Sequence, residues 1–328
     1  MLIPFIALTA VATIVTITYV ITRTLTPDDS APQSESYRAY RSTMRARLKV
    51  AFLVPVAAAV VGVIYGIIAQ VLDPTNPSPT YRPVSLLLGL LWWPGIFLFP
   101  LLAMLLTEKT TRPSGPRVAT LAPRGVRQLF PRWLLIAFGA VFTIAALTPL
   151  ILISPLGVDR TLRSASNPPA RDYSVDPSDL WISYGTFLIA AALTLWVILA
   201  ATRRPDIDPL TGSDSWGRSG TSVRALCLLY IPATYVIIDG LEIPRNAAMA
   251  YLDHVRASGE PIDGWPTWLA STTPAYITDG ISALLMLGIV VALVVFARPP
   301  MPRALAAATA VDPITAAPND SDDETATP

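Results

Sequence analysis

The chain has 328 residues, of which 52% are hydrophobic and only 14% are charged, and its mean hydropathy is +0.51. Soluble domains carry about 25% charged residues, so this composition excludes an ordinary soluble protein and predicts an integral membrane protein. The formal net charge is +1, and the single cysteine, Cys227, allows neither an intrachain disulfide nor a cysteine cluster for a metal.

Seven apolar windows follow one another along the chain. A transmembrane helix needs about 20 mostly apolar residues. The first window lacks a charged n-region and is too long for the apolar part of a signal peptide, so we expect it to be retained as a helix. The predicted fold is an all-α, seven-helix membrane bundle with spans at 2–21, 50–72, 85–106, 133–154, 181–201, 225–243 and 281–297.

The basic residues predict the orientation of this bundle. Eighteen of the 24 lysines and arginines lie in alternate segments, after the first, third, fifth and seventh spans. Basic residues beside spans are retained in the cytoplasm, which predicts an outer N-terminus, a cytoplasmic C-terminus and a multi-pass protein of the plasma membrane. Arginine, alanine and proline are abundant, as in a high-GC bacterial genome. The spans also pair as hairpins with similar basic linkers, which predicts repeated units, although topology alone can give the same linker composition.

Residues 36–49 predict an amphipathic basic helix beside the second span. Two stripes repeat at helical spacing there, one apolar and one basic. We expect the apolar stripe at the headgroup boundary and the basic stripe on anionic lipid headgroups of the bilayer. The alternative is that the basic residues only determine topology. The stripes are Tyr37, Tyr40, Met44 and Leu48, and Arg38, Arg41, Arg45 and Lys49.

The sixth span carries a candidate polar membrane site. Tyr235, Asp239 and Glu242 share a helix face at i, i+4 and i+7 near the outer end. Pro232 removes a backbone hydrogen bond just below them, so a polar crevice for a proton or cation could open there. The alternative is that Asp239 is an interfacial acid within reach of water.

The predicted outer loop, 244–280, holds the only histidine, His254. One histidine cannot supply a bis-imidazole haem site or a zinc cluster, and we expect no cofactor and no metal. From His254 the chain reads HVRASGEPIDGW, which resembles the outer-loop pattern of SdpI-type bacterial immunity and signalling membrane proteins. That resemblance implies toxin immunity or signal reception through a partner protein, without catalysis. The candidate outer-loop site residues are His254, Gly259, Asp263 and Trp265, and the remaining matched positions are Pro261 and Gly264.

Three functional classes follow from the sequence, and none involves nucleic acid. The first is a non-enzymatic protein that binds a partner, since known catalytic motifs are absent from the sequence and the linkers are basic. The second is a transporter of ions or small solutes, based on the apparent hairpins and Asp239. The third is an outer-face enzyme acting on lipid or envelope substrates, based on Asp159, Arg163, Arg171 and Asp172. The final segment, 299–328, is predicted to be a disordered acidic cytoplasmic tail.

Overall fold

The computed structural model describes residues 35–72, 93–110, 129–153, 177–204, 207, 213–258 and 272–299. Within these ranges every regular element is helical, which confirms the predicted all-α class. The helices are α1 (Glu35–Leu72), α2 (Gly95–Thr110), α3 (Arg132–Leu147), α4 (Pro177–Arg203), α5 (Ser213–Ser258) and α6 (Thr273–Ala297), and a 3-10 helix, Thr148–Ile153, continues α3.

Among the helices of the described ranges, four are long and apolar enough to cross a membrane. Their spans, Arg132–Ile151, Leu180–Arg203, Gly217–Asn246 and Ala275–Ala297, coincide with the last four predicted windows. The structure therefore fits a helical membrane protein. The count of seven spans and the placement of the termini stay predictions, and the window at 2–21 lies outside the described residues.

Helix α5 is the centre of the bundle. Two thirds of its apolar span (67%) is buried, against 17% to 33% in the other three spans, because α3, α4 and α6 all pack on it. On the other side of α4, helix α2 packs between α4 and α1. Aromatic side chains fill these contacts, with the rings of Phe138 and Tyr230 5.4 Å apart and those of Phe52 and Phe296 5.8 Å apart.

The predicted basic helix at 36–49 and the second span form one continuous helix, α1, of 38 residues. The apolar stripe that includes Tyr37, Tyr40 and Met44 is at most 6% exposed and packs against the protein. The sequence predicted that this stripe would lie at the headgroup boundary, but the structure buries it inside the protein. The reason is tertiary, since the ends of α2 and α5 cover this face of α1.

Helix α5 continues well beyond the predicted end of the sixth span. It runs through Pro232 and Pro244 to Ser258, so the first part of the predicted outer loop is helical. Each proline removes one backbone hydrogen bond, a loss that a helix packed among others tolerates. The next helix begins at Thr273, and residues 259–271 lie outside the described ranges.

Close approaches between helices depend on two glycines. A Cβ added at Gly240 of α5 would enter the side chain of Thr148, and one added at Gly288 of α6 would enter the hydroxyl of Tyr230. The absence of a side chain at these positions therefore lets α5 approach the 3-10 helix and α6.

Candidate functional site

A cluster of buried polar side chains joins one end of four helices. We call this set the charged cluster, and each member is at most 5% exposed. Its members are Tyr40 of α1, Glu108 of α2, Arg204 directly after α4, and Asp214, Arg218 and Thr221 of α5.

Glu108 connects α1, α2 and α4. The hydroxyl of Tyr40 donates a hydrogen bond of 2.5 Å to Oε1 of Glu108, and Nη1 of Arg204 lies 3.1 Å from Oε2. The guanidinium carbon of Arg204 also lies 4.3 Å from the centre of the Tyr40 ring, an arrangement that favours a cation over the ring face. The three side chains therefore constrain one another's positions.

Asp214 connects α4 to the start of α5. Nη2 of Arg204 donates to its Oδ1 at 2.5 Å, and Nε of Arg218 donates to its Oδ2 at 2.9 Å. Arg218 lies one turn after Asp214 and also donates, through Nη2, to the carbonyl oxygen of Arg204 at 2.7 Å. Two arginines thus bind both carboxylate oxygens and one backbone carbonyl at the end of α4.

The charged cluster balances its own charge. It contains two carboxylates and two guanidiniums, and burying such groups is costly unless they are paired and hydrogen-bonded. Burial raises the pKa of Tyr40, and the negative charge of Glu108 raises it further, so the hydroxyl keeps its proton. Burial lowers the pKa of Arg204, but its attraction to Tyr40, Glu108 and Asp214 gives a net increase, so this guanidinium remains charged.

Neighbouring contacts attach every described helix to this end of the bundle. Nη1 of Arg47 in α1 donates to Oγ1 of Thr110 at 2.8 Å. Oγ of Ser219 in α5 donates at 2.7 Å to the carbonyl of Leu129, just before α3. Nε of Arg224 donates at 3.0 Å to the carbonyl of Phe296 near the end of α6. The N-terminal ends of α1, α3 and α5 therefore lie together with the C-terminal ends of α2, α4 and α6, and we call this the basic end of the bundle.

Comparison with protein-family models, with curated protein sequences and with solved structures finds no match to this chain. The geometry of the chain's own residues therefore carries the functional argument.

The predicted polar membrane site lies toward the other end of α5. The ring centres of Tyr235 and Trp93 are 3.9 Å apart. Asp239 is partly buried, and Glu242 is exposed. The residues around Pro232, including Leu228 and Val236, are buried in the hydrophobic core.

An ion pair that the sequence did not predict lies one turn farther along α5. Nε of Arg245 is 3.1 Å from Oδ1 of Asp279 of α6, and both side chains are partly exposed. It joins α5 to α6 at the end of the bundle opposite the charged cluster.

The predicted basic stripe lies on the outer side of α1. Arg38 and Lys49 are exposed, and Arg41 and Arg45 are partly buried. The exposed basic side chains on this side of α1 can contact anionic groups outside the protein. Contact with lipid headgroups stays a prediction.

The remaining sequence candidates are only partly described. His254 lies in the last turns of α5, whereas Gly259, Asp263 and Trp265 lie outside the described residues. The same holds for the outer-face enzyme candidates Asp159, Arg163, Arg171 and Asp172. Within the part of the chain that the structure describes, no three His, Cys, Asp or Glu side chains are grouped to bind a metal.

Sequence reasoning missed the charged cluster because its arginines were counted only as topology signals. A usable signal was nevertheless present. Glu108 and Asp214 are acids within two of the predicted basic linkers, where an acid has several possible basic partners. Asp214 and Arg218 also have the i, i+4 spacing of a helical ion pair.

Proposed function

We propose that this chain is a bacterial plasma-membrane protein that binds a partner protein at its cytoplasmic basic end and does not itself catalyse a reaction. The observation that carries the proposal is the distribution of charge at that end. Glu108 and Asp214 are buried in the charged cluster, whereas Arg38 is exposed and Arg41 and Arg45 are partly exposed. The partner would therefore present an acidic surface, since complementary charge gives specificity and fast association.

The N-terminal turns of α1 provide a rigid support for this basic surface. Tyr37 and Tyr40 are buried, and Arg47 binds the end of α2. A Cβ at Gly217 of α5 would lie only 2.9 Å from the Tyr37 hydroxyl, so the two helices are closely packed there. A surface fixed before binding loses less conformational entropy when the partner arrives, which favours docking on this helix.

The resemblance of residues 254–265 to SdpI-type proteins supports a role of the same class. It implies immunity or signal reception through a partner protein. Partner binding at the basic end and a sensing segment on the opposite side would together suit transmission of a signal across the membrane.

The test is affinity purification of the full chain from its native membrane in mild detergent, followed by mass spectrometry of the bound proteins. We expect one stoichiometric partner, lost in Arg38→Glu because the reversed charge repels an acidic surface. Arg132→Glu, an equal change on an exposed arginine at the start of α3, is the matched control and should retain the partner. A wild-type preparation without a specific partner, or equal retention by both variants, would contradict the proposal.

A transporter of ions or small solutes is the second candidate. The charged cluster favours it, because ion pairs between separate helices can close one end of a bundle and still be broken, as alternating access requires. Proteoliposome flux measurements with Asp239→Asn, and with Glu35→Gln at an exposed acid at the start of α1 as the control, test this candidate. Unchanged flux in Asp239→Asn would remove that residue from the mechanism.

A further inference from the structure

Exposed basic side chains surround the bundle at its basic end. One is found on each of the five outer helices that the structure describes, within two turns of the point where the exposed apolar surface of that helix begins. The central helix, α5, is covered by its neighbours at this level. The five residues are Lys49 of α1, Lys109 of α2, Arg132 of α3, Arg203 of α4 and Arg298 directly after α6.

Helix α1 shows where the hydrocarbon of the bilayer would begin. Its exposed side changes from polar or small residues such as Arg38 and Ser42 to large apolar ones such as Val50 and Leu53, and Lys49 marks the change. Arg38 lies about 16 Å beyond Lys49 along the axis. The headgroup layer is only about 5–8 Å thick, so Lys49 is at the level of the lipid phosphates and Arg38 is well beyond them.

A groove between α2 and α4 combines three groups at this boundary. Nζ of Lys109 lies 4.0 Å from the ring centre of Trp196, whose residue is 50% exposed. Arg203 follows Trp196 by seven residues, two helical turns, so it lies on the same face about 10 Å nearer the end of the bundle. Below them, Leu106 lies one turn before Lys109 and Ile189 lies two turns before Trp196, and both are exposed and apolar. The groove therefore offers two cations, an interfacial indole and an apolar path for an acyl chain.

From this arrangement we infer that Lys109, Trp196 and Arg203 bind the headgroup of an anionic phospholipid. The phosphate lies between the Lys109 ammonium and the Arg203 guanidinium, whose donors suit phosphate oxygens. Trp196 lies at the inner edge of the headgroup layer, where indole rings are favoured, and the acyl chain follows Leu106 and Ile189. The inference requires the helices to lie in a bilayer, but it does not depend on the proposed partner protein.

The contact between Lys109 and Trp196 distinguishes this groove from the rest of the basic belt. A lysine that only determined topology would be free to extend into water. Here its ammonium lies against a tryptophan of the neighbouring helix, at the edge of the apolar surface. A local site should therefore lose lipid when these two cations are removed, whereas a diffuse belt should respond equally to the loss of any two basic residues.

The experiment is native mass spectrometry of the full chain, titrated with phosphatidylglycerol or with phosphatidylcholine of the same acyl chains. Each basic residue near an anionic surface contributes about a fivefold increase in binding, so Lys109→Gln/Arg203→Gln should weaken phosphatidylglycerol binding about 25-fold. Arg132→Gln/Arg298→Gln removes the same charge elsewhere in the belt and should weaken it less than about threefold. Phosphatidylcholine binding should be weaker and should change little in either double variant.

Two results would overturn the inference. One is equal loss of phosphatidylglycerol in the two double variants, which would indicate a diffuse belt. The other is a wild-type protein that binds both lipids equally. If the Lys109→Gln/Arg203→Gln protein does not fold, the single variants replace it. Each should lose about fivefold while its circular dichroism spectrum matches that of the wild type.

Discussion

Replacing Glu108 with glutamine should destabilise the protein through the charged cluster. Glutamine keeps the volume of the side chain and an oxygen that can accept the hydrogen bond from Tyr40. It removes the negative charge that faces Arg204 at 3.1 Å. The cluster would then contain two guanidiniums and one carboxylate, all buried, and its positive charge would be uncompensated.

The size of the effect follows from the burial of the pair. Removing one partner of a buried ion pair costs about 3–5 kcal/mol, because the other charge is left without compensation. Since the hydrogen bond from Tyr40 can persist, we expect about 3 kcal/mol. Adding Arg204→Gln restores neutrality between Asp214 and Arg218. The double variant should therefore lose less stability than the sum of the single losses, by about 1–3 kcal/mol.

The assay is equilibrium unfolding of the purified full chain in mild detergent, followed by far-ultraviolet circular dichroism during titration with a denaturing detergent. Arg38→Gln is the control, and because this arginine is exposed its stability should stay within about 0.5 kcal/mol of the wild type. The reasoning is refuted if Glu108→Gln costs less than about 1 kcal/mol, or if the two substitutions are additive within about 0.5 kcal/mol.

Three further outcomes are expected from similar unfolding measurements. Burial raises the pKa of Tyr40 above its ordinary value of about 10, so the folded state keeps a proton that the unfolded state releases. Stability should fall above about pH 10 by up to about 1.4 kcal/mol per pH unit. The free energy of unfolding, measured at pH 9 and at pH 11, should therefore fall less in Tyr40→Phe than in the wild type. Gly240→Ala places a Cβ in the side chain of Thr148 and should cost about 1–3 kcal/mol. Gly139→Ala, with nothing within 4 Å of the new Cβ, should instead stabilise by up to about 1 kcal/mol, and equal effects of the two changes would contradict the packing argument. Asp279→Asn breaks an ion pair in which the aspartate side chain is 49% exposed. Because water weakens the attraction in an exposed ion pair, this change should cost less than about 1 kcal/mol. A loss near 3 kcal/mol would contradict this argument.

The sequence by itself determined the class of the protein and the position of its apolar helices. The last four predicted windows coincide with helices long and apolar enough to cross a membrane, because a span needs only an uninterrupted run of apolar residues of the right length. Pro244, where the predicted outer loop begins, does not mark the end of the helix, since α5 continues through it to Ser258. Local signals of this kind report propensity, which packing can override.

Only the tertiary structure decided what the polar residues contact. Tyr37 and Tyr40 have a spacing that suits a lipid headgroup layer and a protein core equally, because a tyrosine is amphipathic and either setting satisfies its hydroxyl. Glu108 and Asp214 lie in separate basic linkers, and no sequence period relates them to Arg204. Burial makes their pairing obligatory, since an isolated charge in the core would be far too costly. Which charges become partners depends on which helix ends meet, and the packing of the six described helices against one another decides that.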